Sequence, residues 1–441
     1  MSNLSTRDTL YRSSNNQVGP YGYAVRQTID GIKIHKLLAI ILVVSFAVRI
    51  VSWIVVPPPD LSTNASLAYL GGADKLVNGK GFADPEYPVF TPPIYAVVIA
   101  GFLLILGSDQ VPVIILQIVL DTCTVFLLYR IAQVIFGWKA GILASAMWGV
   151  YPFAIYATLY VGTETLFTFL LSAFILSAIR AMQSQKWAAF AWTGILLGLA
   201  TLTRGTTQFL PLVFPLLWFI GRPAAKRWLL DCAVLIAGFT LVILPWGIRN
   251  MVVLDDFIPV ARAAGVFLWG SSEKLWTIDE RVPELPRLYS RMAERGLPAP
   301  PSGSSFKEKD KYLFRIAIQT HKDMLAKDPV GFGIFMLKKL SRVWFATESG
   351  ANHRIVLGAN IPLYCLAILG AGVAWTHRVR WSILPLLLIG YFVILHWLTF
   401  PLFRYTLPII PLVMMFGAVG LVHLLDHLAG AVRVRIGQAE P

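Results

Sequence analysis

Long apolar blocks alternate with short polar ones along most of this chain. Apolar runs at 37–56, 111–133, 140–159, 165–182, 188–203, 207–220, 229–247, 355–375, 382–399 and 405–426 come close to the length that spans a bilayer core as a helix, roughly 20 residues. They predict about ten transmembrane helices and an all-α polytopic membrane protein. The run 93–107 is shorter and opens with Pro92-Pro93, so it reads as an interfacial or re-entrant helix. Between 248 and 352 the pattern turns too polar to span. This region holds loop material from Pro283 to Pro301 and a charged stretch at Lys307–Lys311. An amphipathic piece at 331–345 sets Lys338 and Lys339 beside aromatic residues, as in a helix lying along a membrane surface. No internal repeat is evident.

Charge sets the orientation. Arg7, Arg12, Arg26, Lys33 and Lys36 precede the first run, which is retained rather than cleaved. With that tail inside and 93–107 not crossing, Arg130 with Lys139, Arg180 with Lys186, Arg222 with Lys226 and Arg227, Arg378 with Arg380, and Arg433 with Arg435 all face the cytoplasm. The positive-inside rule favours this arrangement over its reverse. The expected organisation is a cytoplasmic tail, 1–36; an amino-terminal membrane module, 37–247, with its first extracytoplasmic loop at 57–110; an extracytoplasmic region, 248–352; carboxy-terminal helices, 353–427; and a second cytoplasmic tail, 428–441.

Composition agrees. The chain of 441 residues is 56% hydrophobic and only 14% charged, against about 25% for a soluble domain. A net charge of +14 would suggest nucleic acid in a soluble protein; here the cationic loops account for it. Cys123, Cys232 and Cys365 lie inside apolar runs, which argues against a disulfide framework or a metal cluster.

Candidate chemistry collects on the extracytoplasmic side. The first loop supplies Asp60, Asn64, Tyr69, Asp74, Asp84, Glu86 and Tyr87; Thr163-Glu164 opens a span; Arg204 ends one; Arg249-Asn250 follows Pro245-Trp246; and Arg404-Tyr405 opens the last. Ionisable groups at membrane depth are costly and so point to function. Arginine grips phosphate with a planar fork, and a carboxylate can take a proton from an acceptor hydroxyl. Arg204, Arg249, Arg404 and Tyr405 are therefore candidates for a donor phosphate. Asp60 and then Glu164 are candidates for the base. Asn64, Tyr69, Asp84, Glu86 and Tyr87 are candidates for acceptor or sugar. Asp60, Asp84, Glu86 and Glu164 also offer oxygen ligands to a divalent cation, though an arginine pair can neutralise one phosphate without metal. Plainer roles stand beside these. Arg204 or Arg249 alone can snorkel to headgroups, Glu164 can serve the first turn of its helix, and Asp121 reads as a helix-pairing group. Asp255, Asp256, Asp279 and Glu280 read as solvated loop charges, and Asn64-Ala65-Ser66 as a chance sequon.

Several segments carry a resemblance: Gly79-Lys-Gly-Phe82 with Pro92-Pro-Ile-Tyr95, Tyr129-Arg-Ile-Ala132 with Phe136-Gly137, Tyr151-Pro152 with Thr163-Glu164-Thr-Leu-Phe167, Gly198-Leu-Ala-Thr-Leu-Thr203-Arg204, Leu244-Pro-Trp-Gly-Ile-Arg249-Asn250, Gly265 with Leu268-Trp-Gly270, and Phe403-Arg-Tyr405 with Pro408 and Pro411. In order and sidedness they resemble the GT-C glycosyltransferases, in the branch of protein O-mannosyltransferases and lipid A aminoarabinose transferases, over about 37–425. The resemblance implies a GT-C bundle with outer juxtamembrane helices and a sugar donor on a polyprenyl phosphate. It also implies inverting transfer to an acceptor hydroxyl of a glycolipid, polysaccharide or protein, and an essential acid in the first loop of a bacterial-type inner-membrane enzyme. One departure stands out. Tyr69, Ala73 and Leu76 fit the loop helix of that branch, yet Ala65 occupies the position four before Tyr69 where the branch commonly has its acid. Asp60 is the nearest acid upstream. A non-catalytic or transport protein for lipid-linked glycans, and a polysaccharide polymerase or ligase, would share the same arginines.

Overall fold

A computed structural model describes residues 20–56, 64–82, 91–107, 110–221, 227–271, 292, 296–300, 303–347 and 353–437. Its elements are α1 (Pro20–Val55), α2 (Asn64–Val77), α3 (Ile94–Leu106), α4 (Val111–Phe136), α5 (Trp138–Gly149), α6 (Pro152–Ala157), α7 (Thr163–Ser184), α8 (Trp187–Thr203), α9 (Leu210–Gly221), α10 (Trp228–Leu254), α11 (Ala264–Gly270), α12 (Phe306–Lys327), α13 (Pro329–Arg342), α14 (His353–Thr376), α15 (Ile383–Leu398), α16 (Phe403–Thr406) and α17 (Ile410–Gly437). Every regular element among the described residues is helical. Six helical segments are long and apolar enough to cross a bilayer, and three shorter apolar helices accompany them. The chain is a multi-pass membrane protein. Its exposed apolar side chains, Ile54, Ile105 and Trp375 among them, suit contact with lipid rather than water.

The helices differ from the expected runs where proline intervenes. The run 140–159 is two helices, because Tyr151 is extended and Pro152 restarts the chain as α6. A proline lacks the N–H for a mid-helix bond and pushes the preceding residue out of the helical region. The reverse holds at Pro245, which α10 carries inside it as it runs on to Leu254. At 13 residues, α3 is about 20 Å long, short of the roughly 30 Å core. The charged stretch at 307–311 opens α12, where Ser305 and Glu308 form a reciprocal capping box that satisfies two terminal N–H groups. Asp256 is an anchor rather than a solvated loop charge. It pairs with Arg262 and, at 3.0 Å, with Lys307, tying the end of α10 to the start of α12. Asp279 and Glu280 lie outside the described residues.

Several helix pairs approach through glycine. A Cβ at Gly194 of α8 would strike the Leu235 carbonyl oxygen, and one at Gly370 of α14 would strike that of Phe416. Small residues let apolar helices gain contact by backbone approach, which matters where lipid removes the hydrophobic drive between helices. Gly370→Leu should therefore part α14 from α17, costing about 1–3 kcal/mol as an overpacked site. A lower thermal midpoint of the detergent-solubilised protein would report it, and an unchanged midpoint would count against the contact.

Asp121 pairs across helices as expected, and its partner is Arg49 of α1. The Arg49 Nε donates to Asp121 Oδ2 at 2.7 Å, and Nη1 donates to the carbonyls of Ser45 and Gly149. Trp148 Nε1 donates to Asp121 Oδ1 at 3.0 Å. Each charge is thus buried, paired and further hydrogen-bonded, the condition under which a buried ion pair is tolerated.

Candidate active site

At one end of the bundle, three elements far apart in sequence converge on a single carboxylate. Glu164, in the first turn of α7, is 0% exposed. Its Oε1 accepts from Arg404 Nε at 2.9 Å, from α16, and from Arg204 Nη1 at 3.4 Å, from the end of α8. Among the described residues two guanidiniums face this one carboxylate. Glu164 Oε2 has no hydrogen-bond partner among the described residues.

Local structure explains the placement. The segment before α7 is clamped from α4 and from α2. Gln117 Nε2 donates to the carbonyls of Thr158 (3.2 Å) and Tyr160 (2.9 Å), Tyr95 hydroxyl donates to Gln117 Oε1 (2.7 Å), and Ser66 Oγ donates to Val161 carbonyl (2.8 Å). Gly162 then passes so close that a Cβ would meet Glu164 Oε2 and the Tyr160 ring; glycine lets the carboxylate fold back. The acid is also favoured at a helix start by the N-terminal dipole. On the other side, α16 is fixed by Phe403 N–H donating to Ala346 carbonyl and Thr406 Oγ1 to Val343 carbonyl, each at 2.8 Å.

Aromatic rings line the cluster. Tyr69 of α2 is buried edge-on to Tyr95, with ring centres 5.1 Å apart. Burial, and after it the Glu164 charge, hold its phenol above the ordinary value, so Tyr69 is a neutral hydrogen-bonding group. Tyr405 has the Arg204 guanidinium over its ring at 4.7 Å and His396 stacked on it at 5.3 Å. A guanidinium held over an aromatic face is stabilised by the ring quadrupole.

The structure thus brings together Tyr69, Glu164, Arg204, Arg404 and Tyr405. Arg249 has other company. It lies over Trp246 at 5.2 Å and Phe82 at 6.0 Å and donates to Asn250 Oδ1 at 2.9 Å. Asn64 is the first residue of α2. The Asn64 side chain, together with Asp60, Asp84, Glu86 and Tyr87, lies outside the described residues, and no group of three or more metal-ligating side chains occurs among those described. His396 joins the cluster without having stood out in the sequence. It is buried and its Nε2 has no hydrogen-bond partner among the described residues. A lone histidine in an apolar run, fourteenth in the 16-residue α15, gives little signal; its one mark is position near a helix end.

Oligosaccharyltransferases are among the solved structures that resemble this chain. Archaeal oligosaccharyltransferase AglB from Archaeoglobus fulgidus, in complex with an inhibitory peptide and a dolichol-phosphate, superposes with a TM-score of 0.53 at 14% identity, over 92% of this chain and 52% of that one. The apo form of the A. fulgidus oligosaccharyltransferase gives 0.58 at 14% identity, over 91% and 52%. Residues 91–248 match the family described as dolichyl-phosphate-mannose-protein mannosyltransferase. The chain shares the fold of these solved transferases over most of its length. The segment matched to that family holds Glu164 and Arg204, whereas Arg249, one residue past its end, and Arg404 fall beyond it. The chain spans about half the length of the oligosaccharyltransferases it resembles. No curated protein sequence matches it.

Proposed function

We propose that this GT-C protein moves a sugar, hexosyl or pentosyl, from a polyprenyl-phosphate carrier to the hydroxyl of an extracytoplasmic acceptor, with inversion. The observation that supports this reading most is the Glu164–Arg204–Arg404 triad, two guanidiniums gathered on one buried carboxylate. A polyprenyl phosphate is a ready leaving group that needs its growing charge neutralised more than it needs a proton. Two guanidiniums held by a common carboxylate are prealigned for that task, so no ordering is required at the moment of transfer. In this reading Glu164 acts through Arg204 and Arg404 as a positioning residue, and Asp60 is the base. Tyr69 and Tyr405 present hydroxyls to the sugar. Arg249, stacked with Phe82 at the far limb of the first loop, sits where it would meet the acceptor or the second side of the phosphate. Asp84, Glu86, Tyr87 and Asn64 serve the acceptor.

Removing the positive end tests the proposal. Arg404→Ala should weaken binding of a polyprenyl-phosphate sugar roughly tenfold to a hundredfold, since a charge-assisted hydrogen bond contributes about 1.5–3 kcal/mol. Arg404→Lys, which keeps the charge but not the fork, should lie between. Donor affinity unchanged in a folded Arg404→Ala protein would overturn the reading. Sidedness has its own measurement: a cysteine replacing Asp109 should react with an impermeant thiol reagent added from outside. Labelling from the cytoplasmic side alone would place the site on the other face.

One observation favours a carrier-binding protein without transfer. Among the described residues the triad's only carboxylate is engaged by two arginines, which suits holding an anion better than taking a proton. Asp60 decides between the two.

A further inference from the structure

A second cluster of buried cations lies away from Glu164, under α13. A cavity of about 180 Å³ opens there, and Ser271, Phe335, Lys338, Lys339, Arg342 and Pro401 are among its walls. No carboxylate lines it among the described residues. On a helix, residues three and four apart share a face, so Phe335, Lys338, Lys339 and Arg342 form one stripe along α13.

Two of these cations are buried to an unusual degree: Lys339 is 3% exposed and Arg342 4%. Lys339 Nζ donates to Ser271 Oγ at 3.1 Å and to the carbonyls of Leu398 and Thr399 at 3.3 Å, and it sits over the Phe335 ring at 5.7 Å. Those acceptors are all neutral. The two carbonyls at the end of α15 help, because a helix C-terminus favours a cation, but they do not cancel a full charge. Burial accordingly pulls the Lys339 amine down to about 7. An anion in the cavity would restore the balance.

The outer surface of α13 suggests where that anion comes from. Its exposed side chains include Val330 at 73% and Leu337 at 66%, with Ile334 beside them, while Lys339 and Arg342 point inward and Lys338 stands at the cavity rim. The helix is inside-out by the standard of a water-facing one. A helix resting on acyl chains has this arrangement, with apolar side chains for the tails and a basic pocket behind for a headgroup.

We propose that this cavity holds the phosphate group of a membrane lipid, its tails lying along Val330, Ile334 and Leu337. The site is distinct from the Glu164 triad and does not depend on the reaction proposed above. It is nevertheless joined to it mechanically. Lys339 caps the end of α15, Trp397 Nε1 donates to the Met336 carbonyl of α13 at 2.8 Å, and His396 of that same helix end stacks on Tyr405.

Native mass spectrometry of the full chain in detergent micelles tests this without any transfer assay. The probes are phosphatidic acid, diacylglycerol with the same tails, a polyprenyl phosphate and inorganic phosphate. Phosphatidic acid should bind, and diacylglycerol should bind at least tenfold more weakly. Lys338→Glu, a charge reversal at an exposed rim position that leaves the packing alone, should weaken phosphatidic acid at least tenfold, as should Arg342→Gln if it folds; Arg404→Ala should not. Displacement of phosphatidic acid by the polyprenyl phosphate at equal concentration would mean that the site takes either lipid, and failure of that displacement would restrict it to phospholipid. Equal binding of diacylglycerol, binding of inorganic phosphate with no competition from phosphatidic acid, or indifference to Lys338→Glu would each overturn the proposal.

Discussion

Asp60→Asn is expected to abolish sugar transfer, by about 10²–10⁴-fold, the usual contribution of a general base, while leaving donor binding intact. The argument rests on the other carboxylate. Glu164 is buried between two guanidiniums that hold it as an anion, and removing that anion would disturb both arginines. Glu164→Gln should therefore raise the KM for donor as well as lower kcat, the signature of lost positioning. Asp60→Asn, by contrast, keeps shape and removes basicity, so its loss should appear in kcat alone. Steady-state kinetics of the two variants, with donor binding measured separately, separates these roles. Full activity in Asp60→Asn with a pure kcat loss in Glu164→Gln would exchange them. Full activity in the double variant would end the case for a carboxylate base and favour carrier binding without transfer.

Arg49→Ala and Asp121→Asn should each cost about 3–5 kcal/mol of stability, because either leaves its partner as an uncompensated buried charge. The network that suffers spans α1, α4 and α5. Replacing both residues together, Arg49→Met with Asp121→Leu, should recover a large part of the loss, since well-packed apolar groups often match a buried pair. Recovery will be incomplete, because Trp148 Nε1 and the Gly149 carbonyl also lose their partners. Thermal denaturation of the three variants measures this. A double variant no more stable than either single one would mean that the polar network contributes more than its own neutralisation.

What could be read from the sequence was what local physics decides. Apolar runs near 111–133, 165–182 and 355–375 correspond closely to α4, α7 and α14, because nothing but a helix satisfies a backbone in lipid. Proline effects were harder to read. Pro152 breaks its run and Pro245 does not, a difference set by neighbouring packing rather than by the residue. The Ser305–Glu308 capping box was a local signal for α12, masked by the charges around it. Within the site, residue types and helix-end positions marked Glu164, Arg204 and Arg404 individually. Their pairing was not legible, because 40 and 240 residues separate Glu164 from its two partners and no periodicity reaches across such gaps. Nor was the separation of Arg249 from Glu164, or the arrival of His396.

That wide separation also imposes an order of assembly. A ribosome adding about 5–20 residues per second would complete Glu164 and Arg204 within seconds of each other, and the pair they form is electrically neutral. Arg404 follows 240 residues behind Glu164, on the order of tens of seconds later at that pace. Until α16 docks, the nascent chain has the carboxylate and Arg204 but lacks the second guanidinium on Glu164. If the triad holds the carrier phosphate as proposed, a half-made chain in the membrane would lack the completed grip, which would arrive with the last helices.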